Sequence, residues 1–228
     1  MMETFSCDIE TDGIDPTKVW CIAVHNHYDE STKVWYPEEG WDINENGSFQ
    51  EWLDSGDVYK LVFHNGIAFD VPVLERLHNI DFSNIIIEDT MILSQLDSPR
   101  REGGHSLASW GEYLGFPKGD YEDWSKLTTE MVDYCLKDTA ITTKVYKLMG
   151  QKGLSEDAKE LEYATKKHCS LQERNGWLFD EKGAIEILQS INEDLRKTEE
   201  EVHKKFKPLP LWKSKTPVKN KFKNDNTR

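Results

Sequence analysis

Two carboxylates near the N-terminus have the types and spacing that metal-ion chemistry requires. Asp8 and Glu10 alternate with the apolar residues Cys7 and Ile9, and this period of two predicts a half-buried strand with both acids on one face. Adjacent carboxylates repel each other unless a cation lies between them, and oxygen ligands suit magnesium or manganese. The pair therefore predicts a metal site, although Asp120-Tyr121-Glu122 shows that an acidic chain also contains such a pair by chance.

Two further acids lie where a sheet and a helix are predicted to bring them toward the first pair. Asp70 follows a predicted strand and begins a predicted helix, where an ordinary N-cap is the default explanation. The first and fourth strands are commonly adjacent in sheets of this kind, which places Asp70 near Asp8. Tyr134 and Asp138 are four residues apart and share one helical face, although an amphipathic helix with a solvated Asp138 has the same pattern.

The bulk composition predicts a folded protein of the cytoplasm. The 228 residues include 8 Trp, 8 Tyr and 9 Phe, whose large buried areas argue against disorder. No apolar run approaches the roughly 20 residues that span a bilayer, and the N-terminus lacks the pattern of a signal peptide. Four widely spaced cysteines without a Cys-x-x-Cys motif indicate buried, reduced thiols rather than zinc or disulfides; they are Cys7, Cys21, Cys135 and Cys169.

The charge of the chain is unevenly distributed. The net charge is −14, yet the segment from His203 to Arg228 carries nine basic residues against one acid, and the preceding body carries 19 against 41. A body this acidic is not expected to bind duplex DNA tightly by itself. The basic tail is predicted either to contact phosphates or to be a solvated, flexible end.

The hydrophobic pattern predicts an α/β fold with a mixed five-stranded sheet, flanking helices and a helical C-terminal extension. The strands are predicted at residues 5–10, 19–25, 33–36, 59–63 and 85–87. The helices are predicted at residues 48–53, 71–77, 90–96, 105–114, 128–149, 155–175 and 181–205. We expect a catalytic domain over residues 1–150, a helical linker over 151–206 and a basic tail over 207–228.

Three motifs in order resemble those of a known enzyme group. Asp8-x-Glu10, Asn65-x-x-x-Phe69-Asp70 and Tyr134-x-x-x-Asp138 resemble the motifs of the four-carboxylate 3′→5′ exonucleases that carry tyrosine in the third motif. The intervening blocks resemble the proofreading domain of family A DNA polymerases from short-tailed phages; they are Val62–Gly66, Asp89–Met91, His105–Gly115 and Lys118–Tyr121. The segment Gln172–Asp180 resembles the approach to the polymerase thumb.

The resemblance implies a ribonuclease-H-like fold and hydrolysis of the 3′-terminal phosphodiester with two Mg²⁺ or Mn²⁺ ions. By analogy, Asp8 would contact both metals, Glu10 and Asp138 would complete the site that activates water, and Asp70 would support the second metal. Tyr134 would orient the attacking water, and Asn65 would help to fix the substrate. The expected substrate is a single-stranded or frayed DNA 3′ end.

The polymerase context leaves several interpretations open. Polymerases of this group continue for several hundred residues beyond the exonuclease domain, so no polymerase activity is expected from this chain. The chain would be a split subunit that accompanies a polymerase domain, or a fragment of a longer polymerase. No membrane partner is expected, and a phage-encoded chain would act in the host cytoplasm. The alternatives are a stand-alone RNA or oligonucleotide 3′→5′ exonuclease and a noncatalytic single-strand-binding module of the replication machinery.

Overall fold

The computed structural model of the chain describes residues 3–39 and 47–207. It divides into two compact units, the first ending at Asn175 and the second beginning at Gly176. The predicted basic tail over residues 207–228 falls outside the described residues after Lys207. No helix in the described part of the chain is long and apolar enough to cross a membrane.

The first unit is built on the predicted mixed sheet of five strands. The strands are β1 (Glu3–Thr11), β2 (Val19–Asn26), β3 (Thr32–Trp35), β4 (Val58–Phe63) and β5 (Ile86–Asp89). Their spatial order is β3-β2-β1-β4-β5. The first three strands form an antiparallel meander, and β4 and β5 add to it in parallel. The predicted adjacency of the first and fourth strands is therefore confirmed, and β1 lies at the centre.

Seven α-helices surround or follow the sheet in the described residues. They are α1 (Phe49–Leu53), α2 (Asp70–His78), α3 (Thr90–Asp97), α4 (Leu107–Tyr113), α5 (Thr129–Met149), α6 (Glu156–Asn175) and α7 (Glu181–Lys205). Ser48 and Thr128 cap α1 and α5 through side-chain oxygens that accept backbone N–H bonds, as N-cap residues commonly do. Most predicted bounds lie within one or two residues of the observed ones; for example, α4 begins two residues after His105, because Ser106 caps it, and β5 starts one residue late.

The two faces of the sheet carry different layers. One face packs an apolar cluster against α1 and α2, and its largest fully buried members include Trp35, Phe49 and Phe63. The other face is covered by α5, whose Cys135 packs against Cys21 and Ala23 of β2. Because side chains alternate along a strand, Ser6, Asp8 and Glu10 of β1 face the α5 layer while Phe5 and Ile9 join the apolar cluster.

Helix α6 packs within the first unit. The backbone N–H of Asp89 donates to the Tyr163 hydroxyl of α6 at 3.4 Å. Lys159 of α6 lies 4.0 Å from Glu88 at the end of β5. These contacts tie α6 to the sheet, and the predicted domain boundary at residue 150 stays a prediction.

Asp180 is the N-cap of helix α7, and its carboxylate accepts the Gly183 backbone N–H at 3.0 Å. None of its residues is buried in the described structure. Its exposed apolar residues include Ile185, Leu188, Ile191 and Leu195.

One prediction about the cysteines was wrong. Cys7, Cys21 and Cys135 are buried free thiols, whereas Cys169 is exposed on α6. The sequence around Cys169 is amphipathic, and only the packing of α6 decides which of its faces is covered.

Candidate active site

The predicted pair of acids on β1 lies under helix α5. Asp8 is half-buried and Glu10 is 6% exposed. Cys135 of α5 donates its thiol hydrogen to a carboxylate oxygen of Asp8 at 3.5 Å. One helical turn farther along α5, Asp138 is 2% exposed. The strand and the helix together bring three of the predicted acids into one buried region.

The fourth acid reaches the same region from the start of α2, and its explanation as a helix cap was wrong. The N-cap of α2 is Phe69, which makes no side-chain cap bond, and Asp70 is the first helical residue. The carboxylate of Asp70 instead accepts a hydrogen bond from the backbone of Ile9 in β1. The last β1–β4 pair joins Ser6 to Val62, so the edge of β1 that faces β4 has no strand partner at Ile9. The start of α2 lies at this edge.

A tight turn between β4 and α2 positions Asp70. Asn65 has a backbone φ of +69°, a conformation that asparagine tolerates better than most residues. A Cβ atom on Gly66 would lie 2.2 Å from the Cβ of Phe63, so only glycine fits there. The turn therefore depends on both residues of the Asn65-Gly66 pair.

Asp89 holds this turn from the end of β5. It is fully buried, and its carboxylate accepts the backbone N–H groups of Asn65 at 2.9 Å, Ile67 at 3.2 Å and Met91 at 3.0 Å. It is also the N-cap of α3. Asp89 therefore acts as a helix cap and as a structural acid that holds the turn before Asp70.

Burial raises the pKa values of all four acids, and neighbouring carboxylates add to this effect for Asp8, Glu10 and Asp70. Burial and the charge of Asp138 raise the pKa of Glu10 to about 8. Burial raises the pKa of Asp70 to about 7. Burial, followed by repulsion from Asp138 and Glu10, raises the pKa of Asp8 well above its usual range, and burial also raises the pKa of Asp138. Without a cation, the cluster therefore retains protons at neutral pH.

The donor set of the cluster fits a hard divalent cation. Asp8, Glu10 and Cys135 present potential ligand atoms within 4.8 Å of one another. Burial raises the pKa of the Cys135 thiol, and this thiol donates to Asp8, so Cys135 supports a ligand rather than acting as one. The Oδ1 atom of Asp138 is buried without a hydrogen-bond partner among the described residues. Such an oxygen is available to a metal ion.

Tyr134 and Asp138 share a partner that the sequence analysis did not single out. Lys118, in the loop between α4 and α5, forms an ion pair with Oδ2 of Asp138. Its ammonium nitrogen also lies 4.5 Å from the centroid of the Tyr134 ring. Local sequence offers no periodicity for a loop lysine, so this contact follows only from the packing of the loop.

Asn65 occupies the turn beside the cluster rather than its interior. Its backbone bonds to Asp89, and within residues 3–39 and 47–207 no hydrogen bond joins its side chain to the four acids. Its predicted role toward the substrate stays a prediction.

Two clefts lie next to the predicted residues. One, of about 370 Å³, is lined by Tyr134, Lys118 and the first turn of α4. Another, of about 460 Å³, is lined by Ile14, Phe69 and Arg76 beside the start of α2. Both fall within the size range of small-ligand sites; Tyr134 lines the first, and Phe69, the residue before Asp70, lines the second.

The sequence comparisons match the chain to an exonuclease family and to part of two phage DNA polymerases. Residues 1–153 match the family model described as 3′-5′ exonuclease. The chain is 26% identical over 253 aligned residues to the DNA-directed DNA polymerase of Enterobacteria phage T3, covering 81% of this chain and 34% of that protein. The DNA-directed DNA polymerase of Escherichia phage T7 is 27% identical over 272 residues, covering 88% of this chain and 37% of that protein. The chain thus spans about a third of the length of these relatives.

Solved structures share the fold. NrnC of Brucella melitensis superposes with a TM-score of 0.58 at 20% identity, covering 78% of this chain and 88% of that one. The catalytic core of RRP6 from Trypanosoma brucei superposes with a TM-score of 0.53 at 17% identity, covering 75% and 47%. The predicted ribonuclease-H-like fold is therefore confirmed.

Proposed function

The chain belongs to the 3′→5′ exonuclease domain family of the family A DNA polymerases, and on that premise we propose that it removes nucleotides from DNA 3′ ends with two bound divalent cations. The observation that carries this proposal is the convergence of acids from three elements on one buried site. These acids are Asp8 and Glu10 of β1, Asp70 of α2 and Asp138 of α5.

The proposed role of the four acids is to hold the cations that the family uses. Two divalent cations, when bound, acidify the attacking water and neutralise charge on the attacking and leaving oxygens. The proposed ligands are Asp8, Glu10, Asp70 and Asp138. Their raised pKa values imply that cations bind in exchange for protons.

Two polar residues are proposed to position the reactants. Tyr134 is half-buried and lines the 370 Å³ cleft, and its hydroxyl would accept or donate a hydrogen bond to hold the attacking water. The Asn65 amide, on a turn fixed by Asp89, would hold the 3′-terminal nucleotide. A rigid support for such groups matters because small displacements cost orders of magnitude in rate.

DNA is proposed as the substrate because the sequence relatives are DNA polymerases. The proposed context is proofreading beside a polymerase domain, which would deliver a frayed 3′ end. In this context the exposed apolar face of α7 would contact that domain.

Digestion of single strands of one sequence, as DNA and as RNA with a 5′ label, tests the proposal. The wild-type chain with Mg²⁺ is expected to give a DNA ladder that shortens from the 3′ end, and chelation is expected to stop it. The expected DNA rate exceeds the RNA rate, because a deoxyribose site has no partner for the 2′-hydroxyl.

Matched variants make the assay specific to the cluster. Asp138→Asn is expected to abolish the ladder. Asp133→Asn removes the same charge from an exposed position of the same helix and is expected to leave the ladder intact. Intact substrate with the wild type in Mg²⁺ and Mn²⁺, or cleavage that persists in Asp138→Asn, would overturn the proposed mechanism. Faster cleavage of RNA would assign the chain to the oligoribonucleotide alternative.

A further inference from the structure

Lys118 contacts two of the proposed site residues at once. Its ammonium pairs with Oδ2 of Asp138, and the two side chains are 22% and 3% exposed. The same ammonium lies 4.5 Å from the centre of the Tyr134 ring, within the range of a cation–π contact. Tyr134 and Asp138 are one helical turn apart on α5, so a single loop residue spans both.

The contact leaves the other oxygen of Asp138 without a partner. Oδ1 is buried and accepts no hydrogen bond from the described residues, whereas Oδ2 is held by Lys118. A carboxylate that is anchored through one oxygen presents the other in a fixed direction. Partners that anchor metal ligands in this way commonly change metal affinity by roughly 10- to 100-fold.

The loop that carries Lys118 is itself packed tightly against α4. A Cβ atom on Gly111 would lie 2.8 Å from the carbonyl oxygen of Phe116 and 3.1 Å from the backbone nitrogen of Lys118. The Phe116 N–H also donates to the Gly111 carbonyl at 2.8 Å. The position of Lys118 therefore depends on a glycine at residue 111.

We propose that Lys118 is a positioning residue, which orients Asp138 toward a bound cation and holds the Tyr134 ring beside it. The proposal rests on the proposed function for the identity of the site. Lys118 acts through Asp138 and Tyr134 and does not itself contact the substrate.

Calorimetric titration of the full chain with Mn²⁺ tests the proposal independently of nuclease activity. Lys118→Met keeps the length of the side chain without its charge and is expected to weaken Mn²⁺ binding about 10- to 100-fold. Lys118→Arg is expected to restore most of the affinity. Lys126→Met, at an exposed position of the same loop, is the matched control and is expected to bind Mn²⁺ like the wild type.

Whether Lys118→Met binds Mn²⁺ more weakly or more tightly distinguishes a positioning role of Lys118 from the alternative roles. A lysine that only occupies the place of the cation would compete with it, so tighter Mn²⁺ binding in Lys118→Met would overturn the proposal. Unchanged binding would overturn it as well. With DNA, kcat is expected to fall in Lys118→Met at unchanged KM. A raised KM with unchanged kcat would instead show that Lys118 binds the strand, and this too would overturn the proposal.

A second variant tests the proposal in case Lys118→Met does not fold. Gly111→Ala displaces the loop without altering the Lys118 side chain, and it is expected to weaken Mn²⁺ binding severalfold. The effects of Gly111→Ala and Lys118→Met are expected to be less than additive in the double variant, because both act through one contact. Fully additive losses would count against the proposal. If the wild type binds Mn²⁺ but cleaves no DNA, the proposed function fails while this inference stays testable.

Discussion

Removing one charge from the acid cluster is expected to stabilise the metal-free protein. The potential ligand atoms of Asp8 and Glu10 lie within 4.8 Å of each other, and two unit charges at that separation repel by roughly 3 kcal/mol at an effective dielectric constant of about 20. Asp8→Asn removes this repulsion and keeps an oxygen that accepts the Cys135 thiol hydrogen. We therefore expect the substitution to raise the free energy of unfolding.

The gain depends on pH in a direction that follows from the raised pKa values. At pH 5.5 the cluster retains protons, because the pKa of Glu10 is raised to about 8 and that of Asp70 to about 7. Most of the repulsion between the carboxylates is then absent, so Asp8→Asn is expected to change the free energy of unfolding little. At pH 9 these protons are lost, and the expected gain is about 3 kcal/mol, corresponding to a rise in Tm of roughly 6–12 °C.

Thermal unfolding followed by far-UV circular dichroism in chelator, at pH 5.5 and pH 9, measures this difference. Asp133→Asn is the control and is expected to show no pH-dependent shift, since Asp133 is exposed. Excess Mg²⁺ is expected to reverse the order at pH 9, because the wild type binds the cation more tightly than the variant. A lower Tm for Asp8→Asn at pH 9 in chelator, or equal shifts at both pH values, would refute the assumed repulsion.

Four further outcomes are expected. Asp70→Asn is expected to lower kcat by about 10³-fold or more, because a charge that supports the cations is worth several kcal/mol in the transition state. Quenched-flow digestion of labelled DNA measures this fall in kcat, and a fall of less than tenfold would contradict the prediction. The Tm of the metal-free wild type is expected to fall between pH 6 and pH 9. The fold raises the pKa of Glu10 to about 8 and that of Asp70 to about 7, so both carboxyl groups stabilise the folded state while protonated and lose that contribution as the pH rises through the folded pKa. A Tm that does not change with pH in chelator would argue against protonated acids. Asp89→Ala leaves three backbone N–H groups without their acceptor and lowers stability by about 3 kcal/mol, which a urea titration measures against the exposed-site variant Asp29→Ala. Gly66→Ala forces its Cβ against Phe63, so we expect a lower Tm together with reduced cleavage, whereas a wild-type Tm would show that the turn adapts.

The helices and strands were largely predictable because their signals are local. Thr128 caps α5 and Gly150 follows its last residue, so both ends of the longest helix of the first unit can be located from a few neighbouring residues. The alternation of polar and apolar residues in β1 likewise reflects the two faces of a sheet. The motif acids could be named for the same reason, since each occupies a recognisable place at the end of a strand or on a helical face.

Residues that act through long-range contacts could not be found in this way. Asp70 has the sequence context of a cap, yet its carboxylate bonds to β1, about 60 residues earlier in the chain. Lys118 belongs to a loop without periodicity and meets Asp138 only because Gly111 lets that loop pack closely on α4. The exposure of Cys169 depends on which face of α6 is covered, and short-range patterns do not specify this.

The sequence by itself predicted a metal site from the spacing of Asp8 and Glu10, and the class of chemistry came from the resemblance of its three motifs, in order, to those of the 3′→5′ exonucleases. It also determined the elements that carry them, through local periodicity and capping. Only the tertiary structure decided how those acids affect one another, since pKa values depend on burial and on distances between residues far apart in the chain. The same packing decided that Asp89 supports the turn before Asp70 and that Lys118 holds Asp138. Such contacts arise only when the sheet, the loop and α5 have come together.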